Sequence, residues 1–177
     1  EKNKDKKNIA LGLESIGSVY LLTPNLNKAQ ENFYKAIDIY TEINDEEGIV
    51  GGLTSLGASY QKEGNLTKAI EIYKVGLKRA KAAGIERSES ILLGNIGSSS
   101  RRIKEHDTSL EYLFKALKLK LKLKRYTSAA HSCNDISETY IEIGNLTKAK
   151  EYALKAIEYA KNNSLHQERY AYYVLSN

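Results

Sequence analysis

Leu53-Thr54-Ser55-Leu56-Gly57-Ala58-Ser59-Tyr60 decides the fold. Its apolar and small residues, Leu53, Leu56, Gly57 and Tyr60, fall at i, i+3, i+4 and i+7, which is one face of an α-helix. Forty residues earlier stands Leu13-Glu14-Ser15-Ile16-Gly17-Ser18-Val19-Tyr20. Forty later stands Leu93-Gly94-Asn95-Ile96-Gly97-Ser98-Ser99-Ser100, and a weaker fourth copy is Cys133-Asn134-Asp135-Ile136-Ser137-Glu138-Thr139-Tyr140. A fixed period of this length is the signature of a repeat architecture, and it governs every later reading.

The residues that follow repeat as well. Gly64-Asn65-Leu66-Thr67-Lys68-Ala69 returns as Gly144-Asn145-Leu146-Thr147-Lys148-Ala149, with Pro24-Asn25-Leu26-Asn27-Lys28-Ala29 and the divergent Lys104-Glu105-His106-Asp107-Thr108-Ser109 in the same register. Gly64 suits the left-handed residue that ends a helix. Asn65, or alternatively Thr67, suits the cap of the next helix. The stripe Ala69, Tyr73, Gly76 and Leu77 then belongs to a second helix. Short connections make consecutive helices antiparallel neighbours. One helix pair cannot bury both stripes, whereas stacked pairs can. Gly57 lies on the buried face, where a missing side chain lets the partner helix approach closely.

The pattern carried by Leu53, Leu56, Gly57, Tyr60, Ala69, Tyr73 and Gly76, and again by Leu13, Ile16, Gly17, Tyr20, Ala29, Phe33 and Ala36, resembles the tetratricopeptide repeat. The resemblance runs over essentially the whole chain in about four copies. It implies an all-α, right-handed superhelical solenoid of antiparallel helix pairs, and a non-enzymatic module that binds a protein or peptide. The family period is about 34 residues, and the proline that commonly closes its second helix is absent; the longer form here resembles repeats of bacterial signalling and regulatory proteins. Ser100 stands in place of the tyrosine and Ser137 in place of the glycine.

The expected repeats are 8–47, 48–87, 88–127 and 128–167, in one solenoid segment spanning 1–177. Residues 1–7 align with the end of a second helix and 168–177 with the start of a first one. With no methionine in the sequence, these ends are expected to continue into flanking repeats or another domain of a longer protein.

At 41% hydrophobic and 28% charged residues, the chain is a core-forming protein rather than a disordered one. One cysteine rules out a disulfide framework within the chain. No apolar run approaches the roughly 20 residues of a membrane span, and the charged residues 1–8 do not form a secretory signal. No membrane insertion is expected in this segment, and a cytoplasmic location is the expectation. The net charge of +5 permits an acidic partner without requiring one. It is unevenly spread. The first unit has 2 basic and 7 acidic residues, the second 7 and 3, the third 9 and 4, the fourth 4 and 5. A basic middle favours a partner carrying an acidic segment.

Leu117-Lys118-Leu119-Lys120-Leu121-Lys122-Leu123-Lys124 alternates like a strand, but the repeat register makes it the end of a second helix. Lys120 falls where other copies have Tyr40, Ala80 and Ala160; its stem is expected to cover apolar surface while its amine reaches water. Asn65-Leu66-Thr67, Asn145-Leu146-Thr147 and Asn162-Asn163-Ser164 match the glycosylation sequon, but turn and capping chemistry already explains the first two. His106, His131 and His166 are far apart in the register, and His131 and Cys133, two residues apart, do not share a helix face, so no metal site is expected. Cys133 replaces a repeat leucine and reads as a core residue. Neither a phosphate loop nor a carboxylate pair stands out, so no catalytic residue and no cofactor is expected.

In the resembled family the first helices line the concave face. Their remaining stripe contains Glu14, Ser18 and Leu21, then Thr54, Ala58 and Gln61, then Gly94, Ser98 and Arg101, then Asn134, Glu138 and Ile141. The candidate partner-binding residues are Lys62, Asn95, Ser98, Arg101, Arg102, Asn134 and Glu138. Asn95 and Asn134 can pair with a peptide backbone, and Arg101 and Arg102 can hold a carboxylate. Some tetratricopeptide proteins clamp a peptide's terminal carboxylate with Lys and Asn in the first repeat; those positions are Glu14 and Ser18, so that clamp is absent. The alternatives are an RNA-binding helical repeat or a structural spacer that self-associates. RNA readers present a repeated set of side chains, whereas these groove positions differ in every copy, so nucleic acid is the weaker reading.

Overall fold

The computed structural model describes residues 2–161. Eight helices follow one another: α1 (Lys2–Leu21), α2 (Leu26–Glu42), α3 (Glu46–Glu63), α4 (Leu66–Ala82), α5 (Glu86–Arg102), α6 (His106–Lys122), α7 (Tyr126–Ile143) and α8 (Leu146–Lys161). There is no strand among the described residues. Each helix packs against the next. In addition α1 touches α3, α3 touches α5 and α5 touches α7, while no two even-numbered helices touch. Odd helices therefore form the inner row of a curved stack and even helices the outer row.

The turns show why the chain reverses where it does. After α3 and α7, Gly64 and Gly144 take φ of 90° and 86°, and Lys104 takes 67° at the equivalent position after α5. Between pairs the same role falls to Asn44, Gly84 and Lys124, at φ 55°, 69° and 54°. A left-handed residue turns the chain sharply and lets the following amide satisfy an orphan carbonyl: Asn145 N bonds Tyr140 O at 2.9 Å and Arg125 N bonds Lys120 O at 2.8 Å. Caps then start the next helix. Asn65 Oδ1 accepts from Lys68 N at 3.2 Å, and Asn145 Oδ1 from Lys148 N at 3.1 Å. Asp45 accepts from Gly48 N at 3.0 Å.

Within each pair, a large side chain of the outer helix lies on a glycine of the inner one. A Cβ at Gly57 would sit 2.4 Å from Tyr73 Cε1, one at Gly17 2.6 Å from Phe33 Cε1, and one at Gly97 2.6 Å from Leu113 Cγ. In the fourth pair the glycine is Ser137 and the opposing position is Ala153. Ser137 Oγ bonds Ala149 O at 2.8 Å. The inner residue has gained a hydroxymethyl and the outer one has lost its large side chain, so the close approach survives the substitution. Phe33, Tyr73 and Leu113 are fully buried, and each contributes about 1.5–3 kcal/mol by leaving water. Cys133 is fully buried in the core of the last two pairs, and burial pushes its thiol up to about 11.

Two sequence expectations change. Residues 2–7 are not the tail of a second helix; they run unbroken into α1. The reason lies in contacts between segments: Lys6 pairs with Glu42 at 2.6 Å and Lys7 with Asp45 at 2.6 Å, which holds the first turns of α1 against the end of α2 and the cap of α3. The alternating lysine–leucine segment is helical through Lys122, and Lys124 is the left-handed turn residue. Residues 168–177 and the sequon at Asn162 lie outside the described residues.

Candidate binding groove on the inner face

The seven candidate residues divide by what holds them. Lys62 Nζ donates to Leu21 O at the end of the preceding inner helix. Arg102 Nη1 reaches Gln61 O at 3.4 Å. Both cations cap the negative end of a neighbouring inner helix, which is where a helix dipole attracts positive charge. Arg101 meets Glu138 at 2.6 Å and Glu142 at 2.7 Å, and Lys104 meets Glu142 at 2.9 Å. The Arg101 side chain is only 18% exposed. Hydrogen bonds from Lys104 and then Arg101 hold the Glu142 carboxyl below its ordinary range. These cations were expected to offer themselves to a partner; the structure shows them linking α3 to α1 and α5 to α3 and α7 along the inner row.

Asn95 and Ser98 have a different setting. They line a pocket of about 220 Å³ between α5 and α7, with Ser128, His131 and Asp135 from α7. The sixth polar member comes from the outer row. Lys120 of α6 passes between the inner helices and is 8% exposed. Its Nζ donates to Ser132 Oγ at 2.8 Å. The expectation that this amine reaches outer solvent is corrected. Position 94 explains the change: it is Gly94, where the other copies have Glu14, Thr54 and Asn134, and a Cβ there would come within 3.2 Å of Lys120 Nζ. The missing side chain leaves room for the lysine amine beside position 94. Burial lowers the Lys120 pKa and raises that of Asp135. Asn134 does not join this pocket; it lies beside Thr127, Ala130 and His131 on the α8 side of α7.

The same route is used in the first pair. Tyr40, the register equivalent of Lys120, donates from its hydroxyl to Glu14 Oε2 at 2.9 Å. Outer-row residues at this position thus reach inner-row polar groups. Sequence reading named Asn95 and Ser98 but missed Lys120, His131 and Asp135. The available signal was the coincidence of a lysine at 120 with a glycine at 94. Among the described residues no cluster of His, Cys, Asp or Glu could hold a metal ion, and no helix is long and apolar enough to cross a membrane.

A family model described as tetratricopeptide repeat matches residues 130–163. Solved structures agree along the whole stack. BtubC from P. vanneervenii superposes with a TM-score of 0.81 at 17% identity, over 89% of this chain and 64% of that one. The fold is a tetratricopeptide-like α-solenoid. A STAND signal-transduction ATPase with a tetratricopeptide repeat sensor, from Pyrococcus horikoshii, gives 0.75 at 28% identity, over 90% of this solenoid and 25% of that chain. A Rap protein complexed with competence and sporulation factor gives 0.76 at 14% identity, over 92% of the solenoid and 45% of that chain. The solenoid thus spans less than two thirds of each of these chains. No curated protein matches the sequence closely enough to count as a relative.

Proposed function

We propose that the inner face of α1, α3, α5 and α7 binds a peptide or an extended protein segment, and that the solenoid is the sensory or regulatory part of a larger bacterial signalling protein. The observation that carries this reading is the polar pocket between α5 and α7, where Asn95, Ser98, His131 and Asp135 from two adjacent repeats converge. Side-chain amides and hydroxyls in a concavity can pair with the groups of an extended chain. Asn134 and Glu138 continue the surface along α7, and Lys62, Arg101 and Arg102 set its edge. The tetratricopeptide sensor of the STAND ATPase and the Rap complex support a regulatory setting. A partner with an acidic segment suits the basic second and third units.

The test is selection of peptides from a displayed library against the solenoid, followed by affinity measurement with Ser98→Trp and Lys74→Ala. Ser98 lines the inner pocket, and Lys74 is exposed on the outer helix α4. The expected result is loss of binding with Ser98→Trp and none with Lys74→Ala. Peptides that bind both variants equally would move the site off the inner face.

A further inference from the structure

Lys120 and Asp135 stand out among the charged groups of the inner pocket. The lysine is more than nine-tenths buried, and only Ser132 Oγ takes one of its three protons. Asp135 is half-buried and lines the same pocket. The influences on it from Arg101, Lys120 and His131 act through space rather than by hydrogen bonds. Arg101 is already committed to Glu138 and Glu142. Neither pocket charge is committed to an ion pair, and Lys120 makes one hydrogen bond to the next repeat, at Ser132. Other copies have alanine or tyrosine at the lysine's position, and serine or asparagine at the aspartate's.

We propose that this pocket is a subsite for a neutral primary carboxamide, the side chain of an asparagine or glutamine in a bound peptide, with its oxygen accepting from Lys120 Nζ and its NH2 donating to the Asp135 carboxylate. The inference rests on the peptide-binding reading above and deepens it. The choice follows from charge. A carboxylate ligand would gain Lys120 but be desolvated beside Asp135, and an ammonium would gain Asp135 but be desolvated beside Lys120. Each would leave an unbalanced charge in a partly dry site. A carboxamide satisfies both groups and adds no charge, since it presents an acceptor and two donors on one plane. Asn95, Ser98 and Ser128 rim the pocket with further donors and acceptors. The volume of about 220 Å³ admits one such side chain.

The experiment titrates the solenoid with propionamide, propionate and n-propylammonium, three probes of one size that differ in the polar head. Binding is read from amide NMR shifts of Gly94, Asn95, Ser98 and Asp135. Propionamide is expected to saturate these signals at the lowest concentration of the three. Lys120→Met and Asp135→Asn are each expected to weaken it about fivefold, the range of one hydrogen bond. The variants should also reverse the preference: Asp135→Asn leaves a positive pocket and favours propionate, while Lys120→Met leaves a negative one and favours propylammonium. A merely structural role for either residue would not reorder the probes. Tighter binding of propionate to the unaltered solenoid, or no localised shift with any probe, overturns the assignment. These probes report pocket chemistry without a partner, so their failure is distinct from failure of the library selection.

Discussion

Exchanging one glycine for alanine at two positions should move stability in opposite directions. In the middle of a helix, alanine gains about 0.5–1 kcal/mol over glycine. At Gly12 of α1 a new Cβ meets nothing within 4 Å, so Gly12→Ala is expected to stabilise by that amount. At Gly57 the same Cβ falls 2.4 Å from Tyr73 Cε1 and 2.6 Å from Cδ1. Carbon contacts are comfortable at about 3.5–4.0 Å, so the ring must withdraw by roughly 1 Å. It has little room: Tyr73 is fully buried and its hydroxyl is held by Gln61 Oε1 at 2.9 Å. Overpacking costs about 1–3 kcal/mol, and the helical gain offsets part of it. A net loss of roughly 1–2 kcal/mol remains, so the two exchanges should differ by about 2–3 kcal/mol.

The assay is urea unfolding followed by helical circular dichroism, with slopes compared so that a change in cooperativity of the repeat array is not taken for a change in stability. Tyr73→Ala supplies the second arm. It removes the ring that collides, in the manner of the fourth pair, where Ser137 faces Ala153. In that background Gly57→Ala should stabilise as it does at Gly12, a coupling of about 2–3 kcal/mol across the cycle. If Gly57→Ala stabilises the unaltered chain as much as Gly12→Ala, or the cycle shows no coupling, the glycine–ring contact does not set the helix spacing.

Lys124→Gly should raise stability by roughly 0.5–1 kcal/mol in the same assay, because Lys124 holds a φ of 54° that side-chain-bearing residues resist. Arg101→Ala should lower it by about 1 kcal/mol, and the loss should shrink in concentrated salt, because the ion pairs to Glu138 and Glu142 are partly exposed and screened. Acid should separate two carboxylates. The folded pKa of Glu142 is depressed by Lys104 and Arg101, so its stabilisation is full above the unfolded value of about 4.3 and is lost as pH falls through the folded one. The folded pKa of Asp135 is raised, chiefly by burial, so its penalty is full above that value and vanishes below the unfolded value of about 3.9. Asp135→Asn should therefore stabilise at neutral pH and not near pH 3, where about nine-tenths of an unfolded aspartate is protonated. Glu142→Gln should destabilise at neutral pH and be nearly neutral in acid, both read from urea midpoints.

The fold was legible because its determinants are local and repeated. Gly64 and Gly144 as left-handed turns, Asn65 and Asn145 as caps, and Gly57 under Tyr73 are each visible as residue types at a fixed offset. The structure realises them at those positions. Helix 2–21 was misjudged at its start because its first turns are held by Lys6 and Lys7 against α2, a contact between segments that periodicity does not encode. The groove was half legible. Asn95 and Ser98 follow from helical spacing alone, but Lys120 reaches the pocket from the other row, where the missing side chain at position 94 leaves room for its amine. Arg101, Arg102 and Lys62 looked free because their partners, Glu138, Glu142 and two main-chain carbonyls, lie a full repeat away.

In a solenoid the positions that agree between copies carry the stacking, so chemistry must be sought where the copies disagree. Position 120 is Tyr, Ala and Ala in the other three units, and the positions matching 135 are Ser15, Ser55 and Asn95. The equivalent pair one repeat earlier closes with alanine at the lysine's place: Ala80 is fully buried. A buried lysine and a half-buried aspartate therefore add nothing that packing requires. Both are disfavoured by desolvation in the free protein. A ligand that hydrogen-bonds to each charge would relieve that penalty only when it occupies the pocket, which makes the two charges selective for a partner offering both an acceptor and a donor.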